Sequence, residues 1–342
     1  MKRNLIICVS SHNNYDMLKG EVFNNINFEG FEFINIDDNS SASEVEKGKK
    51  ICADHNVEFI ENKSIGVQFA VDSVIDYLNE HRKECEWIFL FQHDNYPISK
   101  NFFNRLSKLI ENGIPENVAS LGFNHLDSGD YTAPDSYERW KNGEKVIGLL
   151  GKFHLSVVKS NTDRWASVNH NSVVRDFPDR FMKPFSIEIP LETAIGINIH
   201  NWKQNIKPTI DFQFHLWYPD IMMQYLSNNL HCLILPDLYC FNDQSLKEKY
   251  GFHKSSASGA KEGQEEIFGE YGPHLANFSK RWGWDYEKTK YMFTKNTVLK
   301  NILKLFNYSI IREKYEGTLI DEFGNYDLMT KQYPYKTFEL DY

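Results

Sequence analysis

Trp87-Ile-Phe-Leu-Phe-Gln-His-Asp94-Asn95-Tyr-Pro97 joins five apolar, largely aromatic residues directly to a polar cluster. Residues 87–91 show no polar alternation, the pattern of a strand covered on both faces, as in a parallel sheet. Gln92-His93-Asp94-Asn95 then falls at the strand's carboxyl end, and Pro97 is expected to stop further pairing. In open α/β sheets ligands gather at that edge. A carboxylate placed there suits a hard divalent cation, Mg²⁺ or Mn²⁺. An ordinary polar turn is the alternative reading of the same residues.

Upstream, residues 4–10 (Asn-Leu-Ile-Ile-Cys-Val-Ser) read as a buried first strand ending in the polar loop Ser10-Ser11-His12-Asn13-Asn14. Such a loop either meets a ligand or simply turns the chain into the helix expected over 15–28. A second strand, 31–36, runs into Asp37-Asp38-Asn39-Ser40-Ser41. The two carboxylates offer acceptors for a base or a ribose. Asn39 or Ser40 equally offers a cap for the following helix, which carries Glu44 and Glu46, and the two roles are compatible. A third strand is expected over 52–60, closing in Glu61-Asn62-Lys63-Ser64-Ile65-Gly66. Val67, Ala70, Val71, Val74, Ile75 and Leu78 recur at the spacing of an amphipathic helix. Gly66 before it either admits a close backbone approach or makes the turn. With a helix over 102–110, the order strand, helix, strand, helix predicts a doubly wound, mainly parallel sheet.

The 342 residues include 41% hydrophobic and 15% aromatic residues, ample for a large core and unlike a disordered chain. Formal charge is 38 − 47 = −9, which disfavours a general nucleic-acid binder. Five cysteines without CxxC spacing suggest neither a disulfide framework nor a zinc site, so reduced thiols in a cytoplasmic protein are expected. No apolar run approaches the roughly 20 residues of a spanning helix. Neither GxGxxG nor GxxxxGK[ST] follows any strand, which disfavours dehydrogenases and P-loop ATPases.

Ile36-Asp37-Asp38-Asn39-Ser40-Ser41, Asn62 with Gly66, and Phe91-Gln-His-Asp94-Asn95 occur in an order that resembles the GT-A glycosyltransferases, specifically the family 2-like ones. The resemblance covers about the first 110 residues and resumes near Phe214. It implies an α/β fold of GT-A type with a Rossmann-like nucleotide-binding half. It further implies a nucleotide-sugar donor, UDP-sugar favoured, and Mn²⁺ or Mg²⁺ as cofactor. The acceptor would be a saccharide or lipid-linked hydroxyl, in bacterial surface polysaccharide synthesis. Ser10, His12, Asp37, Asp38, Asn62, Gly66, His93 and Asp94 become donor-binding candidates, with Asp94 on the metal. His93 stands where relatives often have Asp, which weakens the expectation of metal dependence.

In Phe212-Gln-Phe-His-Leu-Trp-Tyr-Pro-Asp220-Ile221, aromatic residues lead to an acid at a helix start. The resemblance gives Asp220 the general base of an inverting transfer, removing the acceptor's proton as the sugar carbon is attacked. An Asp favoured by the helix dipole is the alternative. After a strand expected over 230–235, Asn242 and Asp243 stand where many relatives carry a metal- or diphosphate-binding His, making Asn242 a metal candidate. The small-residue stretch 251–263 reads as a mobile loop bringing His253 or Lys254 to the phosphates, or as a plain linker. Asn124 to Asp130 reads as a loop.

The last roughly 80 residues are expected to be helical, with Tyr291, Val298, Leu299, Ile302, Leu303, Leu305 and Phe306 among Lys295, Lys300, Lys304, Arg312 and Lys314. That pattern fits peripheral contact with a membrane surface or packing on the catalytic domain. The expected organisation is a catalytic domain over 1–245 (a nucleotide-sugar half 1–115 and an acceptor half 116–245) and a C-terminal region over 246–342. A non-catalytic nucleotide-sugar-binding protein and a sugar nucleotidyltransferase are the rivals. The second would need a Gly-rich basic loop after the first strand, which 10–14 is not.

Overall fold

The computed structural model describes residues 4–28, 30–127, 136–152, 182–187, 189–213, 215–243, 245–250, 271–282 and 339–342. The candidates His253 and Lys254, and the basic amphipathic pattern over 291–314, lie outside them.

The first half alternates as expected: β1 (Leu5–Ser11), β2 (Phe33–Asp37), α1 (Ala42–Asp54), β3 (Glu58–Glu61), α2 (Val67–His81) and β4 (Trp87–Gln92). Helical turns over Tyr15–Met17, Leu18–Val22 and Phe23–Asn25 join β1 to β2. β1, β2, β3 and β4 pair in parallel in the order β3-β2-β1-β4. Successive residues of β1 serve opposite cores: Ile6 and Cys8 pack with Val71, Val74 and Ile75 of α2, and Leu5, Ile7 and Val9 with Ile51 and Cys52 of α1. Burial on both faces is why these strands read as unbroken apolar runs.

Two expectations fail in this half. Residues 52–54 belong to the end of α1, and the third strand is only Glu58–Glu61. Ile51 and Cys52 continue a helical stripe onto the core, so their apolar character reports a helix face. Nor does Pro97 end the pairing. After the two-residue turn His93–Asp94 the chain reverses into β5 (Asn95–Pro97), where Pro97 stands opposite Cys240, and Ile98 N donates to Tyr239 O at 2.9 Å.

The second half is mixed. α3 (Phe102–Asn112) and β6 (Val118–Asp127) are followed by α4 (Ser136–Lys141), β7 (Gly151–Lys152), β8 (Phe185–Ile187), β9 (Ile189–Pro190) and β10 (Ala194–Asn198). Then come α5 (Ile199–Asn205), α6 (Trp217–Ser227), β11 (His231–Asn242), α7 (Leu246–Tyr250) and α8 (Tyr271–Trp282). β10 runs antiparallel to β4, whereas β6 and β11 are parallel to each other. Phe89, Phe102 and Phe123 meet with ring centroids 5.1–5.3 Å apart and tie α3 to β4 and β6. Each such pair adds about 0.5–1.5 kcal/mol beyond burial.

Asn124 and His125, read as loop, lie within β6, and Pro236-Asp237 lies within a bulged β11. Asn124 is wholly buried because its side chain is satisfied: Nδ2 donates to Val146 O and Pro236 O, both at 2.8 Å, and Oδ1 accepts from Gly148 N at 2.7 Å. No described helix is long and apolar enough to cross a membrane.

Candidate active site

Strand register gathers the sequence candidates on one rim. Ser10 stands opposite Gln92, so His93 and Asp94 follow just beyond Ser10, and Ser11 stands opposite Asp37. Asn242 faces Asn95, and Asp243 N donates to Asp94 O at 3.3 Å. Ser10, His12, Asp37, Asp38, Asn62, Gly66, His93, Asp94 and Asn242 therefore share the carboxyl-end edge of the sheet.

Several of these side chains are already engaged inside the protein. Tyr15 donates its hydroxyl to Asp37 Oδ1 at 2.5 Å, and Ser40 N donates to Oδ2 at 3.1 Å. Asp38 Oδ1 accepts from Asn62 Nδ2 at 2.8 Å and from Gly66 N at 2.9 Å. Burial pushes the Asp38 carboxyl up, and those two donors oppose the shift. His12 Nδ1 donates to Asp38 O at 2.6 Å, which leaves Nε2 as the acceptor for Asn13 Nδ2 at 3.0 Å. The helix cap expected from Asn39 or Ser40 does not form: Ser41 occupies the N-cap and makes no side-chain cap bond. Ser40 instead accepts from Asn13 N at 2.7 Å, joining the loops after β1 and β2. Asn13, Asn14 and Asn39 all have left-handed backbones, which Asn tolerates better than bulkier residues.

His93 is different. It is 5% exposed, and neither ring nitrogen makes a well-formed hydrogen bond to a described residue, although the Ser10 main chain lies close enough to favour the charged ring. Burial lowers its pKa, against the pull of the Asp94 carboxylate beside it, so the ring is held neutral. A buried polar side chain without a full set of hydrogen bonds calls for an explanation, and this one lies on the candidate rim.

Gly66 joins this rim to the Asp220 segment. Its φ is +117°, and a Cβ would stand 2.8 Å from Gln213 O and 2.9 Å from Gln213 Cα. Val67 N donates to Gln213 O at 3.2 Å, and Gln68 Nε2 donates to Phe212 O at 3.0 Å. Gly66→Ala is therefore expected to cost about 3 kcal/mol or more, from backbone strain plus overpacking. Denaturant unfolding of the purified variant measures it, and a loss under 1 kcal/mol would contradict this account.

Asp220 lies in the first turn of α6 and is fully buried. Leu216, just ahead of that helix, has φ +58°, a rare conformation for leucine, and its carbonyl accepts from Asp220 N at 3.0 Å. Oδ2 accepts from Gln224 Nε2 at 2.8 Å. Oδ1 accepts from Trp282 Nε1 at 2.8 Å and lies 3.4 Å from Arg281 Nε. Desolvation raises the Asp220 pKa; Arg281, Trp282 and Gln224 oppose it. A carboxylate has about four lone-pair sites, so Oδ2 keeps one for a further partner. Arg281 and Trp282 were not singled out in the sequence. Leu275, Phe278 and Trp282 show helical spacing, which marks α8 as packed but says nothing of what it packs against.

No cluster of three His, Cys, Asp or Glu side chains able to cage a metal occurs among the described residues. In chemistry the donor set is compatible with a hard cation bound with a diphosphate: Asp94 and Asn242 would offer oxygens, and Mg²⁺ or Mn²⁺ usually draws its remaining ligands from phosphate and water.

No protein-family model matches the chain. No curated protein matches it either. Among solved structures, GalNAc-T7 with UDP, GalNAc and Mn²⁺ superposes at TM-score 0.54 and 12% identity, over 96% of this chain and 58% of that one. This is the GT-A glycosyltransferase fold. Staphylococcus aureus TarS 1–349 aligns at TM-score 0.40 and 15% identity, over 85% of this chain and 76% of that one. A mannosyltransferase from Pyrobaculum calidifontis, solved with GDP-Man and Mn²⁺, aligns at 0.45 and 9%, over 97% and 79%. The chain thus spans just over half the length of the GalNAc-T7 structure and about three quarters of the other two.

Proposed function

We propose that the protein transfers a sugar from a nucleoside-diphosphate-sugar donor, with UDP-sugar favoured, to an acceptor hydroxyl with inversion. The reading rests on one observation above the others: the open, buried His93 beside Asp94, on the rim where the Asp37–Asp38–Asn62–Gly66 network ends. Asp94, with Asn242 on the neighbouring strand opposite Asn95, would hold Mn²⁺ or Mg²⁺, which offsets the charge that develops on the leaving nucleoside diphosphate. UDP and Mn²⁺ in the GalNAc-T7 structure agree with that choice. His93 contributes a neutral hydrogen-bonding ring that adds no negative charge next to a diphosphate. The Asp37 and Asp38 carboxylates, pinned by Tyr15, Ser40, Asn62 and Gly66, shape the nucleoside end. Asp220 accepts the acceptor's proton through the free site on Oδ2. Arg281 and Trp282 fix its orientation. A saccharide or lipid-linked acceptor of a bacterial surface polysaccharide is the acceptor class put forward.

A non-catalytic donor-binding protein is a second reading, favoured by the complete burial of Asp220. Calorimetric titration of UDP, GDP and dTDP, each with and without Mn²⁺, tests the donor site. Tighter binding of one nucleotide with Mn²⁺ is expected, and no binding of any would overturn the proposal. Donor hydrolysis or transfer then separates enzyme from binder.

A further inference from the structure

Behind the turn that presents Asp94, three polar side chains from distant parts of the chain meet. Asn95 follows Asp94 directly and is fully buried. Its Nδ2 donates to Thr193 Oγ1 at 2.9 Å, and its Oδ1 accepts from His125 Nδ1 at 3.1 Å. The same His125 nitrogen lies 3.3 Å from Thr193 Oγ1. Thr193 O also accepts from Gln92 N at 3.1 Å. Both sides of the His93–Asp94 turn are thereby fixed to one residue, through the main chain before it and a side chain after it.

His125 is fully buried, and desolvation brings its pKa down to about 3, so the ring is neutral. With the Asn95 amide oxygen turned toward it, Nδ1 is the nitrogen that carries the proton of the neutral ring. Asn95 and His125 are both fully buried behind the turn. Well-packed apolar residues would hold these segments together at least as well as a buried polar cluster does. What the cluster adds is direction: a fixed hydrogen-bond geometry next to a two-residue turn.

We infer that Thr193, His125 and Asn95 are positioning residues that fix the His93–Asp94 turn, so that the Asp94 carboxylate meets a divalent cation bound with a nucleoside diphosphate. This rests on the glycosyltransferase reading above. Residues that orient a metal ligand from behind are typically worth 10–100-fold in metal affinity.

The test is calorimetric titration of UDP, GDP and dTDP with and without Mn²⁺ on wild type, Thr193→Val, Thr193→Ser, Asp94→Ala and the Asp94→Ala/Thr193→Val double variant. Thr193→Val is close in volume and replaces the hydroxyl with a methyl, which takes away the acceptor for Asn95 Nδ2. It is expected to weaken Mn²⁺-assisted binding about tenfold and to leave metal-free binding unchanged. Thr193→Ser, which keeps the hydroxyl, restores the wild-type value, and Thr193→Val has no further effect once Asp94 is gone. Equal losses with and without Mn²⁺, no loss, or a loss that persists without Asp94 would overturn the positioning role. If wild type shows Mn²⁺-assisted binding that Asp94→Ala abolishes while Thr193→Val is silent, only this inference falls. If no nucleotide binds wild type, it falls together with the glycosyltransferase reading.

Discussion

Asp220→Asn is expected to lower sugar transfer by about 10²–10⁴-fold, the usual range for losing a positioned general base, with nucleotide affinity unchanged. The substitution keeps the side chain's shape and removes its capacity to take a proton. The acceptor hydroxyl then has to shed its proton unaided while the sugar carbon is attacked. Donor affinity is spared because the carboxylate bonds to Gln224, Trp282 and Arg281, none of which belongs to the proposed donor rim. Undiminished transfer would remove Asp220 from the chemistry and make it a structural tie between α6 and α8.

The pH profile of kcat/KM carries the same signature. Desolvation holds Asp220 above the ordinary carboxylate range, with Arg281, Trp282 and Gln224 working against it. The base acts ionised, so activity should rise with pH through a limb lying above that of a solvated aspartate. The stability sign follows from the same shift. The folded state binds this proton more tightly than the unfolded chain does. The associated stability is fully present below the unfolded pKa, about 3.9, and is lost as pH rises through the raised folded value. An acid limb that stays in place in Asp220→Asn would assign it to another group.

Asp94→Ala is expected to abolish Mn²⁺-assisted nucleotide binding and to slow transfer by about 10²–10³-fold, because a metal at the leaving group supplies several kcal/mol of transition-state stabilisation. Removing divalent ions from wild type with a chelator should bring it to the same residual rate, and a chelator should do little further to the variant. Asp94 is half-buried at a hairpin tip, and its backbone carbonyl is held by Asp243 N, so truncating the side chain leaves the fold intact. A variant that keeps both its Mn²⁺ response and its rate would move the cation site away from the β4–β5 turn.

Much of the fold was legible because its signals are local. Unbroken apolar runs marked the strands covered on both faces, and helical spacing from Val67 onward marked α2. Polar clusters after residues 10, 36 and 91 put the candidate site on the carboxyl-end rim, since sheet topology brings strand ends together whatever the side chains then do. The errors have a common cause. Asn124-His125 and Pro236-Asp237 look like loop residues, yet they sit in strands because partners 22 and 112 positions away satisfy Asn124. Without those partners their burial would be too costly for a strand. Cys52 looked like the start of a strand because one apolar residue does not reveal which period it belongs to.

The sequence by itself determined the α/β alternation and the rim on which the polar clusters meet; it left Gly66 as either a turn or a close approach, and the structure shows the approach of Gln213. Only the tertiary structure decided how those side chains are used. His12, Asp37 and Asp38 are bound into the loops after β1 and β2, and His93 is left open. Asp220 receives Trp282 from 62 residues away, and Asn95 beside the Asp94 turn is bonded by His125 of β6 and by Thr193, the residue before β10. The physical reason is range: strand and helix periods are set by neighbours within a few residues, whereas a buried polar group is defined by whichever distant atom completes its hydrogen bonds.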